Sequence, residues 1–244
     1  MKITENTILI TGGATGIGLS LAEYFLKKDN NVIICSRREN RLKEAKDKFP
    51  KLEFKTCDVT KQEDRDSLIE WISSKFKNLN ILINNAGIQR SIDLKKGEME
   101  LKGEDEIDVN LKAPIQLSAL FMPILLQQQE AAIINVSSGL GFVPIASMPI
   151  YCATKAALHS FSISLRHQLK NTPIKVFEII PPTVDTELDK GRRQSFRGIK
   201  PSEVAKATLQ SMEKDEFEIA VGEAKGLKAG SRNNFDQIFS RMNH

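Results

Sequence analysis

No run of apolar residues in the 244-residue chain approaches the roughly 18 that a membrane-spanning helix requires. The opening residues, Met1-Lys2-Ile3-Thr4-Glu5-Asn6, carry neither the apolar core nor the small-residue cleavage site of a secretory leader. Cysteine is scarce: Cys35, Cys57 and Cys152 are odd in number and lack metal-ligand or redox spacing. Reduced thiols in a cytoplasmic protein are therefore expected, and no metal site. Charge is nearly balanced, at +4 with a pI near 8.9. The basic pairs Lys27-Lys28, Arg37-Arg38 and Lys95-Lys96 are scattered rather than interleaved with aromatics, so no nucleic-acid partner is expected. Internal repeats, low-complexity tracts and Pro/Ser-rich linkers are also missing.

What remains is a composition of 41% hydrophobic and 27% charged residues, ordinary for a globular protein. The length suits one α/β domain with a full core, or at most two small domains. Short β-branched runs predict strands at 7–11, 31–35, 52–57, 80–84, 132–137, 175–180 and 217–221. Their apolar runs suggest strands buried on both faces, as a parallel sheet requires. Between them, helices are predicted near 16–28, 38–48, 61–77, 103–128, 150–170 and 201–214, with Thr60, Pro173 and Pro201 as boundary residues. This alternation predicts a doubly wound Rossmann fold: a single domain over 1–224, its seven-stranded parallel sheet flanked by helices. Two stretches break the rhythm. Residues 183–200 are polar and basic and are expected to form a lid; 225–244 are expected to be a tail that docks on a neighbouring subunit or frays.

The sequence Thr11-Gly12-Gly13-Ala14-Thr15-Gly16-Ile17-Gly18 follows the first predicted strand and opens the first helix. Gly12 allows a tight turn, Gly16 lets backbone approach a pyrophosphate, and Gly18 lets helix and strand pack closely. The helix N-terminus supplies amides and positive potential for an anion. Cofactor choice follows from charge. An NAD site carries Asp or Glu at the end of the second strand, against the ribose 2′-hydroxyl. Here Ser36, Arg37 and Arg38 stand there instead, so a 2′-phosphate meets a hydroxyl and guanidinium groups. NADP(H) is expected rather than NAD(H). Thr15 argues the other way, because no second basic residue stands in the glycine turn.

The glycine spacing, with Cys57-Asp58-Val59-Thr60, Asn84-Asn85-Ala86-Gly87, Asn110, Ser138 and Tyr151-x-x-x-Lys155, resembles the short-chain dehydrogenase/reductase family from about residue 7 to 222. A lone Tyr-x-x-x-Lys means little, since Tyr24-x-x-x-Lys28 matches it too. The resemblance implies a catalytic set of Asn110, Ser138, Tyr151 and Lys155. Tyr151 would be the proton donor, Ser138 would bind the substrate carbonyl, and Asn110 would hold a relay water. Tyrosine and lysine at i and i+4 share a helix face. An ammonium about 5 Å away favours phenolate by roughly 3 kcal/mol at an effective dielectric near 20, or about two pK units.

For the cofactor, the resemblance implies contacts from Thr15 and Ile17, from Asp58 and Val59 to adenine, and from Asn85, Ala86 and Gly87 to its ribose. Lys155 would hold the nicotinamide ribose. Pro181, Val184 and Thr186 would reach the carboxamide and pyrophosphate, although Pro182 replaces the family's usual glycine. Within the family the chain is similar to a bacterial branch associated with lipoteichoic-acid D-alanylation, which shares Pro-Pro-x-Val-Asp-Thr. The apolar stretch 139–148 is expected to wall the pocket of a carbonyl or alcohol substrate with an apolar portion. Lys190, Arg192, Arg193 and Arg197 either recognise an anionic group at the rim or form a solvated loop.

Apolar residues beyond one sheet-facing stripe, including Leu117, Leu120, Phe121, Leu125 and Phe161, lead to the expectation of a homodimer or homotetramer. His159 and His167 are read as interface or surface residues, and Cys152 as packing on a neighbouring helix. Two function classes stand: an NADP(H)-dependent carbonyl reductase or alcohol dehydrogenase, and an NADP(H)-binding regulatory or scaffold protein with little turnover.

Overall fold

A computed structural model describes residues 1–96, 105–189 and 198–243. Seven parallel strands form one sheet in the order β3-β2-β1-β4-β5-β6-β7. They are β1 (Thr7–Thr11), β2 (Asn31–Ser36), β3 (Glu53–Thr56), β4 (Leu79–Asn84), β5 (Ala131–Val136), β6 (Ile174–Ile180) and β7 (Glu218–Ala220). The strand order reverses between β1 and β4, which opens a crevice at their C-terminal ends, where ligands of such folds bind.

Each face of the sheet has its own core. Ile8, Ile10, Ile34, Ile81 and Ile134 pack on one side against α1 (Gly16–Leu26), α2 (Glu39–Lys48) and α6 (Pro201–Glu213). Leu9, Ile33, Leu82, Ile133 and Val176 alternate with them and pack against α3 (Gln62–Lys75), α4 (Ala113–Leu125) and α5 (Pro149–Gln168). Alternation along each strand sends successive side chains to opposite layers, which accounts for the continuous apolar runs.

Several boundaries differ from expectation. Helix α3 begins at Gln62, and Thr60 instead donates its hydroxyl to Asp58 at 2.8 Å. The long helix predicted at 103–128 is a π-helical turn, Asp108–Lys112, followed by α4; its predicted start lies outside the described residues. Beyond Leu125 the pattern tightens, Gln127 N and Gln128 N bonding to Ile124 O and Leu125 O, three residues back, at 3.2 Å each. Leu117, Phe121 and Leu125 belong to the core rather than to a spare apolar face. Leu120 is half-buried, and Phe161 packs onto that same core.

Residues 224–242 are not a frayed end. They form α7 (Ala224–Asn233) and α8 (Phe235–Met242), whose glycines and asparagines conceal their helicity. A Cβ on Gly139 would lie 2.9 Å from Leu227, so α7 seats directly on the segment before α5. Asn243 donates to Pro144 O at 3.3 Å, bringing the chain end onto the same segment. Among the described residues, no helix is long and apolar enough to cross a membrane.

Candidate active site

A cleft of about 390 Å³ runs along the C-terminal ends of β1, β2, β4 and β5. The turn after β1 forms its floor. Gly12 has φ +63°, and a Cβ on Gly18 would stand 2.5 Å from Gly12 O, so only glycine fits either place. No side chain caps α1, which leaves its first amides directed at the cleft. Asn85 holds the turn in place by donating to Thr11 O at 2.9 Å and Gly12 O at 3.1 Å.

Ser36, Arg37 and Arg38 line one end of the cleft, as do Asp58 and Val59. The Ser36 hydroxyl accepts from Arg38 N at 3.3 Å. Asp58 accepts from Thr60 and is held at its own N–H by Asp64, 2.7 Å away. Arg38 Nη2 reaches Thr15 Oγ1 at 3.2 Å, so a basic group from the start of α2 meets the position that lacks one in sequence.

Sequence reasoning missed two charged residues here. Glu187, at the start of the predicted lid, bridges Arg38 and Arg41 at 2.8 Å each. Arg41 is one turn beyond Arg38, the signal that could have revealed it. Gln89 donates to Leu188 O at 3.0 Å, tying the same segment to the loop after β4. The two described ends of the stretch predicted as a lid are joined by Asp185 N to Ile199 O at 2.9 Å and Ile199 N to Thr183 O at 3.1 Å. Residues 190–197, with the predicted rim cations Lys190, Arg192, Arg193 and Arg197, lie outside the described residues.

At the other end, Tyr151 and Lys155 enter from the first turns of α5. Lys155 Nζ is 5.7 Å from the centre of the Tyr151 ring and donates to Val136 O at 2.8 Å. Burial pushes the ammonium down to about 8, with the Glu178 carboxylate acting in the opposite direction. It thus remains mostly charged at neutral pH. Tyr24, the decoy, packs instead against the core beneath α1.

Asn110 lies in the π-helical turn, not in the long helix. Such turns are found mostly at functional sites. Its side chain joins three elements: Oδ1 accepts from Ile88 N at 2.9 Å, while Nδ2 donates to Ile88 O at 2.8 Å and Thr154 Oγ1 at 3.2 Å. Ser138 follows β5, and its hydroxyl oxygen accepts from Leu140 N at 3.1 Å.

Most predicted site residues, including Gly16, Ile17, Ala86, Gly87, Pro181 and Thr186, line this cleft. Gly18, Asn110 and Ser138 adjoin the lining residues without lining the cleft themselves. Val184 does not reach it: its side chain is buried in the core and its backbone bridges to Ile199. Cys152 contacts Ile145 in the preceding loop rather than a neighbouring helix. His159 is half-buried: it pairs with Glu178 at 2.7 Å and packs on Phe142.

A glycine-turn crevice at a strand-order reversal, joined to a tyrosine–lysine pair, defines a dinucleotide-binding α/β oxidoreductase. The chain matches the family model for short chain dehydrogenase over residues 6–196 and belongs to that family. It is 49% identical to the "uncharacterized oxidoreductase DltE" of Bacillus subtilis, over 100% of this chain and 98% of that one. A short chain dehydrogenase from Burkholderia cenocepacia, solved in complex with NADP, superposes with a TM-score of 0.84 at 26% identity, covering 99% of each chain. Another from Burkholderia phymatum, in complex with NAD, gives 0.85 at 22% identity, over 100% of this chain and 97% of that one, a likeness of fold.

Proposed function

We propose that the protein is an NADP(H)-dependent oxidoreductase that interconverts a carbonyl compound and a secondary alcohol. The observation that carries this is the buried Lys155 ammonium beside Tyr151, at the far end of a cleft that begins on a glycine turn. The residues present fit a dinucleotide: amides at the uncapped α1 terminus for the pyrophosphate, and a cluster of arginines where a 2′-phosphate would lie. When bound, the nicotinamide supplies or accepts the hydride.

The chain's own residues handle the proton. Tyr151 donates to the carbonyl oxygen in reduction and takes the proton back in oxidation. Lys155 favours the phenolate and so brings the tyrosine's acidity toward neutral pH. The Ser138 oxygen accepts from Leu140 N, leaving its hydroxyl hydrogen to donate to the carbonyl oxygen as charge grows there. Asn110 fixes the loop after β4 against α5 and so holds the floor under Lys155.

Arg37, Arg38 and Arg41 support NADP(H) over NAD(H). Stretch 139–148 supports a substrate with an apolar portion, with α7 behind it. Exposed apolar residues on α4 and α5 support a homo-oligomer, and the protein is taken to act in the cytoplasm. Incubation of the protein with mixed ketones and aldehydes and NADPH deuterated at nicotinamide C4 tests the reading. Deuterium at the carbinol carbon of a product alcohol is expected; its absence from every product, with the dinucleotide bound, favours a binding protein without turnover.

A further inference from the structure

Strand β6 reads Ile-Lys-Val-Phe-Glu-Ile-Ile, and Glu178 is its one carboxylate, wholly buried. The register explains where it points. Asn84 pairs with Asn135, Asn135 with Glu178, and Glu178 with Glu218, so a row of polar residues crosses four strands at one level. The row faces α4 and α5. Asn84 donates to Ser118 and to Asn135, and Asn135 donates to Ser162 on α5.

Glu178 is held at both oxygens. Ser137 donates its hydroxyl to Oε1, while Oε2 faces His159 Nδ1 at 2.7 Å. Since Nδ1 must then carry a proton, the imidazole orients the carboxylate whether neutral or charged. His159 lies one helical turn beyond Lys155, which in turn is one turn beyond Tyr151, so the three share one face of α5. Lys155 Nζ is bonded to Val136 O, the residue immediately before Ser137. A buried carboxylate, bonded to the residue next to the ammonium's own partner, is thereby fixed within electrostatic reach of a buried ammonium.

We propose that Glu178 is a positioning residue for the proton-transfer pair: clamped by Ser137 and His159, it supplies the buried negative charge against which Lys155 keeps its proton. This rests on the reductase reading for its consequence, but not for its geometry. The electrostatics agree, because Glu178 opposes the burial that lowers the Lys155 ammonium. Other charged groups are accounted for. Glu218 on β7 is paired with Lys228 on α7 and Arg166 on α5. Tyr151 faces Lys155 from its own helix. His159 faces Glu178 from α5 through Nδ1.

The test is a lysine titration followed by NMR in the intact protein with 13C-labelled lysine, with the Lys155 signal assigned from its loss in Lys155→Met. It needs neither substrate nor turnover. In the wild type the Lys155 midpoint is expected near 8. In Glu178→Gln, which keeps the shape but exchanges one accepting oxygen for a donor, it should fall by about one pH unit. Glu178→Asp, which draws the charge back by one carbon, should lower it by less and serves if the glutamine variant fails to fold. An unmoved midpoint in a folded variant overturns the proposal. If a reducible carbonyl is in hand, the alkaline limb of kcat/KM should move with the midpoint. Absence of any turnover would count against the reductase reading alone, because the titration still stands.

Discussion

At the scale of single residues, the site depends on one buried cation. Lys155 holds its proton below about pH 8 and releases it above. Tyr151 loses its electrostatic support in the same range, so kcat/KM for carbonyl reduction should decline as pH rises through about 8. A plateau extending to pH 10 would contradict this assignment. The same cation has a stability consequence. Its folded value lies below the ordinary 10.5, so the unfolded chain binds the proton more tightly between those pH values. Stability therefore rises as pH climbs through that window, and the cost of the buried charge is fully present below it. Lys155→Met removes that cost, roughly 3 kcal/mol, and loses the bond to Val136 O, worth about 1. The variant should unfold about 2 kcal/mol later in denaturant at pH 7 while losing catalysis; a less stable Lys155→Met would show that the charge is better compensated.

Among the elements, the start of α2 and the start of the lid share a set of ion pairs. Glu187 places a carboxylate between Arg38 and Arg41, where a 2′-phosphate would compete for the same guanidinium groups. Glu187→Gln should tighten NADPH binding severalfold and leave NADH nearly unchanged, as read by nucleotide fluorescence. Arg37→Ala should do the reverse, weakening NADPH by about tenfold. An NADPH-to-NADH ratio that neither substitution moves would assign the phosphate elsewhere. How much of this the sequence discloses varies by element. The strands were legible because burial on both faces demands unbroken apolar runs. The glycine turn was legible because its spacing is rare and its place between strand and helix is fixed. Helices α7 and α8 were not, since their stability comes from seating on Gly139 and Pro144 rather than from propensity. Glu178 was overlooked although a charge inside an apolar strand is itself a signal. Its partners Ser137 and His159 are 41 and 19 residues away in sequence.

For the molecule as a whole, the two cores fix a rigid sheet whose reversal point carries the site, and the outer faces of α4 and α5 remain to be covered. Ile115 on α4 and Ile163 on α5 are 38% and 44% exposed in the single chain. They support self-association better than the core leucines that first suggested it. Sedimentation should find a dimer or tetramer, and Ile163→Glu should shift it toward monomer; a monomeric wild type at micromolar concentration would contradict the expectation. The central claim, however, is hydride exchange served by Tyr151. It is tested most directly by following NADPH oxidation over a broad panel of carbonyl compounds, with wild type and Tyr151→Phe side by side. At least one carbonyl should be reduced by the wild type, with Tyr151→Phe slower by about 10²-fold or more and NADPH affinity unchanged. Equal inactivity of both proteins across the panel, with NADPH bound by each, would contradict it.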